Sequence, residues 1–152
     1  MIGYRAPVVT LAALHVYPVK SCRGIALEEA RLTEAGLEHD REWMIVTPDG
    51  RFATQRERPR LALIGTRLAA DALVLSAPGL EPLVVPFDYA GAPSEVTVWR
   101  DRCRAFDQGD HAARWLSAFA GCDLRLVRFD PSRRRPSDPA WTGGLTALNR
   151  FA

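Results

Sequence analysis

The sequence predicts a mostly β domain, a small β-barrel with one main α-helix. Short runs of β-branched and aromatic residues recur between turn signals at intervals of about 8–12 residues, as in sandwiches and barrels. Only one segment repeats its apolar residues with helical spacing. The length of 152 residues fits one domain, and a hydrophobic fraction of 47% is enough to form a packed core.

Most segments of the chain are expected to be extended. Pro48, Asp49 and Gly50 predict a hairpin turn, since proline fixes φ and glycine accepts a positive φ. Pro82 and Pro86 bracket another strand and place it at a sheet edge. The predicted extended segments are 9–19, 25–33, 43–46, 51–54, 61–69, 73–76, 83–87, 95–99 and 124–129.

One amphipathic helix is predicted at about residues 107–120. Its apolar stripe at i, i+3, i+4 and i+7 consists of Ala112, Trp115, Leu116 and Phe119, and we expect it to pack in the core. Asp107 is a candidate N-terminal cap, and Gly121 stands where a helix ends.

Charge and cysteine content exclude several classes of protein. The 20 basic and 18 acidic side chains leave a formal net charge of +2, which does not favour non-specific nucleic-acid binding. Cys22, Cys103 and Cys122 are too few and too widely spaced for a disulfide framework or a CxxC zinc site. No apolar run reaches the roughly 20 residues of a membrane span, so we expect a cytoplasmic protein with no membrane partner.

The chain changes character at Pro131. Residues 1–130 are expected to form the domain, and residues 131–152 a basic linker or tail rich in Pro and Gly. Such a composition offers little apolar surface, so we expect poor packing against the barrel. Trp141 and Leu145 are the residues of this segment that could dock against the barrel.

Lys20, Ser21 and Arg41 are the candidate binding residues. Nineteen of the 20 basic residues are arginine, and Lys20 is the single lysine. It lies with Ser21 where a strand enters a turn, so a charge and a hydroxyl donor could face an anion together with backbone N–H groups. Arg41 directly precedes an apolar strand, which fixes the root of its planar guanidinium. The alternatives are a solvated Lys20 and an ion pair of Arg41 with Asp40 or Glu42.

These stretches together resemble the N-terminal β-barrel domain of the MOSC family, which includes the mitochondrial amidoxime-reducing components and their bacterial relatives. The resemblance implies a molybdenum–molybdopterin cofactor held between this domain and a downstream MOSC core. It also implies an electron-donor protein or domain, reduction of N-hydroxylated compounds, and contact of Lys20, Ser21 and Arg41 with the pterin or its phosphate. The matching positions are Tyr17 to Ser21, Gly24, Gly36, Leu37, Asp40, Arg41, Trp43, Thr54, Arg56 and Pro59 to Leu61.

The resemblance covers only part of an enzyme. It places the thiolate ligand of the metal in the MOSC core, beyond the position matching Ala152, and none of the three cysteines corresponds to it. No catalytic residue or metal ligand is therefore assigned, and the isolated chain is not expected to turn over substrate. Whether the chain is a truncated piece of a longer protein is left open.

An alternative is a stand-alone β-barrel that binds an anionic small molecule or single-stranded nucleic acid. Single-strand binders combine a basic groove with exposed stacking aromatics. Trp43, Trp99 and Trp115 lie in apolar patterns that predict burial, which weighs against nucleic acid and leaves the cofactor domain as the leading hypothesis.

Overall fold

Short β-strands make up most of the computed structural model, which describes residues 10–152. The strands are β1 (Leu14–Val16), β2 (Val19–Lys20), β3 (Ile25–Leu27), β4 (Leu32–Thr33), β5 (Gly36–Leu37), β6 (Trp43–Val46), β7 (Gly65–Leu68), β8 (Ala72–Ala77), β9 (Leu80–Pro86), β10 (Ala92–Val98), β11 (Asp101–Asp107) and β12 (Arg125–Phe129). The helices are a 3-10 helix (Pro59–Leu63), α1 (Gly109–Ala120) and the single turn α2 (Pro139–Thr142).

A five-stranded sheet of order β10-β11-β12-β6-β2 forms the centre of the fold. Its neighbours are antiparallel except for β2, which runs parallel to β6. Strands β7, β8 and β9 form an antiparallel meander, and β1-β3 and β4-β5 are two-stranded. The mostly β prediction is confirmed, although across residues 10–152 the four sheets do not join into one closed ring.

Strand β6 is buried on both faces and separates two cores. Successive side chains of a strand point to opposite faces. Trp43 and Ile45 therefore enter the helix-side core, and Met44 and Val46 enter the C-terminal core. The helix-side core also contains Leu116 and Phe119 of α1 and buried residues of β8, β9 and β12. The C-terminal core is completed by Val96, Val98, Cys103, Ala105, Val127, Phe129 and Phe151.

Helix α1 confirms the predicted stripe. It begins at Gly109, two residues after the predicted start, and the Asp107 carboxylate accepts a hydrogen bond from the Gly109 N–H at 2.7 Å. Gly121 ends the helix in the left-handed region at φ +73°. The residues of the stripe that the structure buries are Ala112, Leu116 and Phe119. No helix in the described part of the chain is long and apolar enough to cross a membrane.

The predicted hairpin and edge strand are both present. Gly50 has φ +79° and donates its N–H to the Thr47 carbonyl, while the Ala53 N–H donates to Ile45 across the hairpin. Strand β9, which carries Pro82 and Pro86, lies at the edge of its sheet.

Four predicted strands differ from the structure. The 51–54 segment forms no strand and makes only isolated bridges, Phe52 with Val46 and Arg51 with Thr97. The 9–19 segment is divided into β1 and β2 by a bend at Tyr17 and Pro18, and its first residue, Val9, lies outside the described residues. The 25–33 segment is also two strands, because β3 pairs with β1 whereas β4 pairs back onto β5. The 61–69 segment begins within the 3-10 helix, whose first residue is proline.

The expectation of poor packing for 131–152 is wrong at the end of that segment. Phe151 is fully buried and meets the Phe129 ring edge-on, at 5.4 Å between centroids. The side chain of Arg135 is only 15% exposed and donates hydrogen bonds to the carbonyls of Arg150 and Ala152. Trp141 and Leu145, the expected docking residues, are 88% and 76% exposed. Composition averages the whole segment and does not register one aromatic residue that closes a core.

Candidate anion-binding site

The three predicted binding residues lie on one cavity. Lys20, Ser21 and Arg41 line a space of about 310 Å³ beside β2, an edge strand of the central sheet. The other lining residues are Tyr17, Cys22, Phe52, Thr54, Gln55, Arg56 and Trp99. The convergence expected from the sequence is therefore present, and it adds aromatic side chains that the sequence did not assign to the site.

Backbone pairing brings the two halves of the site together. Strand β2 places Lys20 opposite Met44 in parallel register with β6. Immediately before β6, the Arg41 N–H donates to the Tyr17 carbonyl at 2.8 Å, and the Trp43 N–H donates to Pro18 at 3.0 Å. The root of Arg41 is thus fixed against the chain that carries Lys20.

Backbone strain is concentrated at this cavity. Within residues 10–152 four non-glycine residues have a positive φ, and three of them line the cavity: Ser21 at +71°, Arg41 at +46° and Trp99 at +56°. Such conformations are unfavourable by about 1–3 kcal/mol each and persist at sites where the surroundings impose them. The fourth is His39, close in sequence to Arg41.

Lys20 is a half-buried amine between two aromatic rings. Its Nζ lies 5.6 Å from the centroid of Phe52 and 5.4 Å from that of Trp99. No carboxylate of the described residues comes within 4 Å of it. Burial lowers the pKa of Lys20, and the charges of Arg41 and Arg135 lower it further. An anion in the cavity would relieve this repulsion.

Arg41 forms an ion pair with a neighbouring residue and also lines the cavity. Its guanidinium pairs with the Asp40 carboxylate and stacks 4.8 Å from the Tyr17 ring centroid. The ion-pair alternative is therefore correct for Arg41 and Asp40, and it holds the guanidinium in place while 38% of the side chain stays exposed. Gly24 makes room for the Tyr17 ring, since a Cβ at that position would lie 2.6 Å from a ring carbon.

Glu42, the other candidate partner of Arg41, pairs instead with Arg128 of the central sheet. It accepts from Arg128 of β12 at 2.6 Å and lies 2.8 Å from Nδ1 of His39. Burial raises the pKa of Glu42, but the hydrogen bond with His39 and the charge of Arg128 outweigh burial, so the net pKa is lowered. This pairing ties the residue before β6 to β12.

The cysteines do not form a metal centre. Cys22 is 2% exposed, and burial raises the pKa of its thiol, which disfavours the thiolate form that reacts and binds metals. Cys103 is buried in the C-terminal core, and Cys122 is exposed. Within the part of the chain that the structure describes, no cluster of three or more His, Cys, Asp or Glu residues could hold a metal ion.

The predicted burial of Trp99 is wrong. Its side chain is 58% exposed and meets Phe52 edge-on at 4.8 Å between centroids. Val96 and Val98 face inward, so strand alternation places the next residue on the opposite side, and this signal was available in the sequence. The prediction holds for Trp43, which is fully buried, whereas Trp115 is half-buried.

Comparison with known proteins shows the family of this chain. A family model described as the MOSC N-terminal beta barrel domain matches residues 8–123, which include every residue that lines the cavity. The chain belongs to the MOSC N-terminal β-barrel domain family. The resemblance drawn from the sequence is therefore confirmed.

The relatives of this MOSC N-terminal domain are longer proteins. Mitochondrial amidoxime reducing component 2 of Rattus norvegicus is 38% identical over 133 residues, which are 80% of this chain and 38% of that protein. A molybdenum cofactor sulfurase of Drosophila grimshawi is 39% identical over 137 residues, 84% of this chain and 18% of that protein. The chain thus spans less than two fifths of these curated relatives.

A solved structure supports the same fold. The solution structure of a Bordetella bronchiseptica protein superimposes with a TM-score of 0.55 at 26% sequence identity. The match covers 74% of this chain and 96% of that one.

Proposed function

We propose that this chain is the cofactor-holding N-terminal domain of a molybdenum-cofactor-dependent MOSC oxidoreductase that reduces N-hydroxylated compounds. The observation that carries the proposal is the convergence of Lys20, Ser21 and Arg41 on one strained cavity. The kinship with amidoxime-reducing components and with molybdenum cofactor sulfurase supports the choice of cofactor.

The donors of the cavity suit the phosphate of a pterin cofactor. Lys20, Arg41 and Arg56 supply positive charge, and Ser21 and Thr54 supply hydroxyl groups. Charge-assisted hydrogen bonds to phosphate are roughly twice as strong as neutral ones, and an arginine fork matches its geometry. The exposed indole of Trp99 offers a flat surface beside these donors.

The same donor set does not suit the metal itself. Soft thiolate ligands are part of how molybdenum-type sites are built, and the one thiol that lines the cavity, Cys22, is buried, which raises its pKa. When bound, the cofactor supplies electron transfer to the substrate. Lys20 and Arg41 would neutralise and orient its phosphate, and Ser21 would donate a hydrogen bond to it.

The proposed partners are a MOSC core and an electron-donor protein or domain, and the proposed location is the cytoplasm. The core would supply the thiolate ligand and cover the open side of the cavity. The larger size of the relatives supports this division of labour, because each contains much more chain than this domain.

Reduction of an N-hydroxylated substrate, with molybdenum cofactor and an electron donor present, tests the proposal. Two or three charge-assisted bonds of about 1.5–3 kcal/mol each, set against at least about 4 kcal/mol for association, leave an affinity near the millimolar range. We therefore expect no turnover by the chain alone and turnover when a MOSC core is supplied in trans. Lys20→Met and Arg41→Gln should reduce that activity. Robust turnover by the chain alone would overturn the proposal and identify Cys22 as the ligand.

A stand-alone binding module is the second candidate, and the exposure of two tryptophans favours it. Trp99 and Trp141 line a second cavity together with Arg100. Exposed aromatics beside arginine are what single-strand binders use to stack bases. Titration with a short oligonucleotide at several salt concentrations separates the candidates. Salt-dependent binding that Trp99→Ala abolishes would favour the module.

A further inference from the structure

The amine of Lys20 is chemically unlike every other basic group of the sequence. The remaining 19 basic side chains are guanidinium groups, which stay protonated in proteins. A lysine amine becomes a nucleophile when it loses its proton, and partial desolvation beside other cations favours that loss. Lys20 has both conditions, since it is half-buried in a cavity that Arg41 and Arg56 also line.

We propose that Lys20 is a nucleophilic amine that captures an aromatic aldehyde bearing a phosphate group as an imine. This reaction goes beyond cofactor holding and does not depend on it, because it needs only the cavity and the amine. The ligand class follows from the groups that line the cavity with Lys20. These are cationic side chains, hydroxyl groups and aromatic rings, and no carboxylate is among the lining residues that the structure describes.

The donors determine the anionic group of the ligand. Ser21, Thr54, Arg41 and Arg56 line the same 310 Å³ space as Lys20, so a phosphate held by them remains within reach of the amine. Two of these donors, Ser21 and Arg41, stand on left-handed backbone at the cavity, with φ of +71° and +46°.

The aromatic side chains determine the rest of the ligand. Phe52 and Trp99 both lie within 6 Å of Nζ. Their positions are fixed by the backbone, because the Phe52 N–H donates to the carbonyl of Thr97, two residues before Trp99. A flat ring that stacks on the exposed indole would bring an attached carbonyl group towards Lys20.

The charges around Lys20 favour the neutral amine. The rings of Phe52 and Trp99 attract an ammonium ion, but burial and the charges of Arg41 and Arg135 act against them and lower the pKa of Lys20. Arg56 adds a further cation to the lining. The uncharged groups facing the amine are Tyr17, Ser21, Cys22, Thr54 and Gln55.

Atoms balance without any oxidant or reductant. The deprotonated Nζ attacks the carbonyl carbon, and proton transfer to oxygen gives a carbinolamine. Loss of water breaks the C–O bond and forms the C=N bond, with both amine hydrogens leaving on the water. The imine would occupy the anion-binding cavity and exclude any other phosphate-bearing molecule from it.

The experiment uses pyridoxal 5′-phosphate as the probe, with borohydride to reduce the imine and peptide mass spectrometry to locate the label. The chain offers an internal control, because its amines are Lys20 and the terminal α-amine. With ordinary pKa values of about 10.4 and 7.8, a lysine has roughly 300-fold less neutral amine than the terminus at pH 7. We expect Lys20 to be labelled at least about tenfold faster, measured against the α-amine, than this ratio of ordinary amines gives.

Two comparisons isolate phosphate recognition. Pyridoxal without phosphate should label Lys20 at least about tenfold more slowly, and inorganic phosphate should protect Lys20 but not the α-amine. Arg41→Gln should slow the reaction with the phosphorylated aldehyde, while Arg67→Gln, an exposed arginine of β7 outside the cavity, should not.

The outcomes that overturn the proposal are equally direct. Labelling of Lys20 about 300-fold slower than that of the α-amine, as ordinary pKa values give, would show an ordinary surface lysine. Equal labelling of Lys20 by both aldehydes would show that the cavity does not recognise phosphate. The protection experiment uses the unmodified chain, so it decides the matter even if Arg41→Gln does not fold. None of these readouts involves molybdenum, so failure here is distinct from failure of the proposed function.

Discussion

The two cores on either side of β6 are closed in different ways. The helix-side core is covered by α1, a twelve-residue helix that immediately precedes β12 in the chain. The C-terminal core is closed by the single side chain of Phe151, more than one hundred residues after β6. The first core is therefore covered by a helix that is close to β12 in the chain, and the second by one residue that is distant from β6.

The difference bears on the candidate site because Phe151 is hydrogen-bonded to a residue of the site, whereas α1 does not line the cavity. The N–H of Phe151 donates to the carbonyl of Arg41 at 3.2 Å, so the distant closure is hydrogen-bonded to a site residue. Helix α1 contributes no residue to the lining of the cavity. Stability and binding should therefore separate when the cores are disturbed one at a time.

Phe151→Ala should have the largest effect because it disturbs both a core and the site. Truncation of a buried phenylalanine destabilises by about 3–5 kcal/mol, measured by urea unfolding. Loss of docking also frees the carbonyl of Arg41, so phosphate should no longer protect Lys20 from labelling. A variant with unchanged protection would show that the Phe151 contact does not position Arg41.

Leu116→Ala is the matched disturbance of the helix-side core. Leu116 is fully buried, so its truncation should destabilise by about 2–5 kcal/mol in the same urea measurement. Under conditions where the variant is folded, phosphate protection of Lys20 should equal that of the unmodified chain. Loss of protection here would contradict the separation of the two cores.

Glu42→Gln tests the pairing that links β6 to β12. The folded-state pKa of Glu42 lies below its ordinary value of 4.5, so its ionised form stabilises the fold above about pH 4.5. That contribution is lost as the pH falls through the lowered pKa. Hydrogen bonds to charged groups contribute about 1.5–3 kcal/mol, so the variant should be less stable by about that amount at pH 7. The two proteins should therefore converge in stability as the pH falls below about 4.5, and a pH-independent difference would refute this assignment.

Trp141→Ala should have the smallest effect. Trp141 is 88% exposed, and substitutions at such positions change stability by about 0.5 kcal/mol or less. Thermal unfolding of the variant should match that of the unmodified chain. A clear loss of stability would restore Trp141 as a docking residue of the C-terminal segment.

Local patterns in the sequence predicted what lies close together in the chain. The stripe of α1, the turn at Gly50 and the edge position of β9 follow from spacing and from glycine and proline chemistry, and all three are present. Lys20 and Arg41 also reach one cavity as expected, since each lies at the end of a strand and those strands are neighbours.

Long-range contacts account for what the sequence did not predict. The burial of Phe151 depends on a groove formed by β6, β10, β11 and β12 together, and no local pattern specifies it. The meeting of Phe52 with Trp99 depends on the hairpin after β6 lying along β10. The role of Arg135 follows only from the return of the chain end to its side chain.

The position of the single lysine gives the site a proteolytic reporter. An endoprotease specific for lysine has one target in the chain, the Lys20–Ser21 bond. Lys20 is paired in β2, and Ser21 adopts a left-handed conformation with its carbonyl bonded to Gln55. Proteases require extended, accessible chain, so cleavage reports opening of this strand end. Cleavage at this bond would divide the chain of 16.8 kDa into two fragments of about 2 and 15 kDa. The rate at which these fragments appear would measure how often the cavity wall opens.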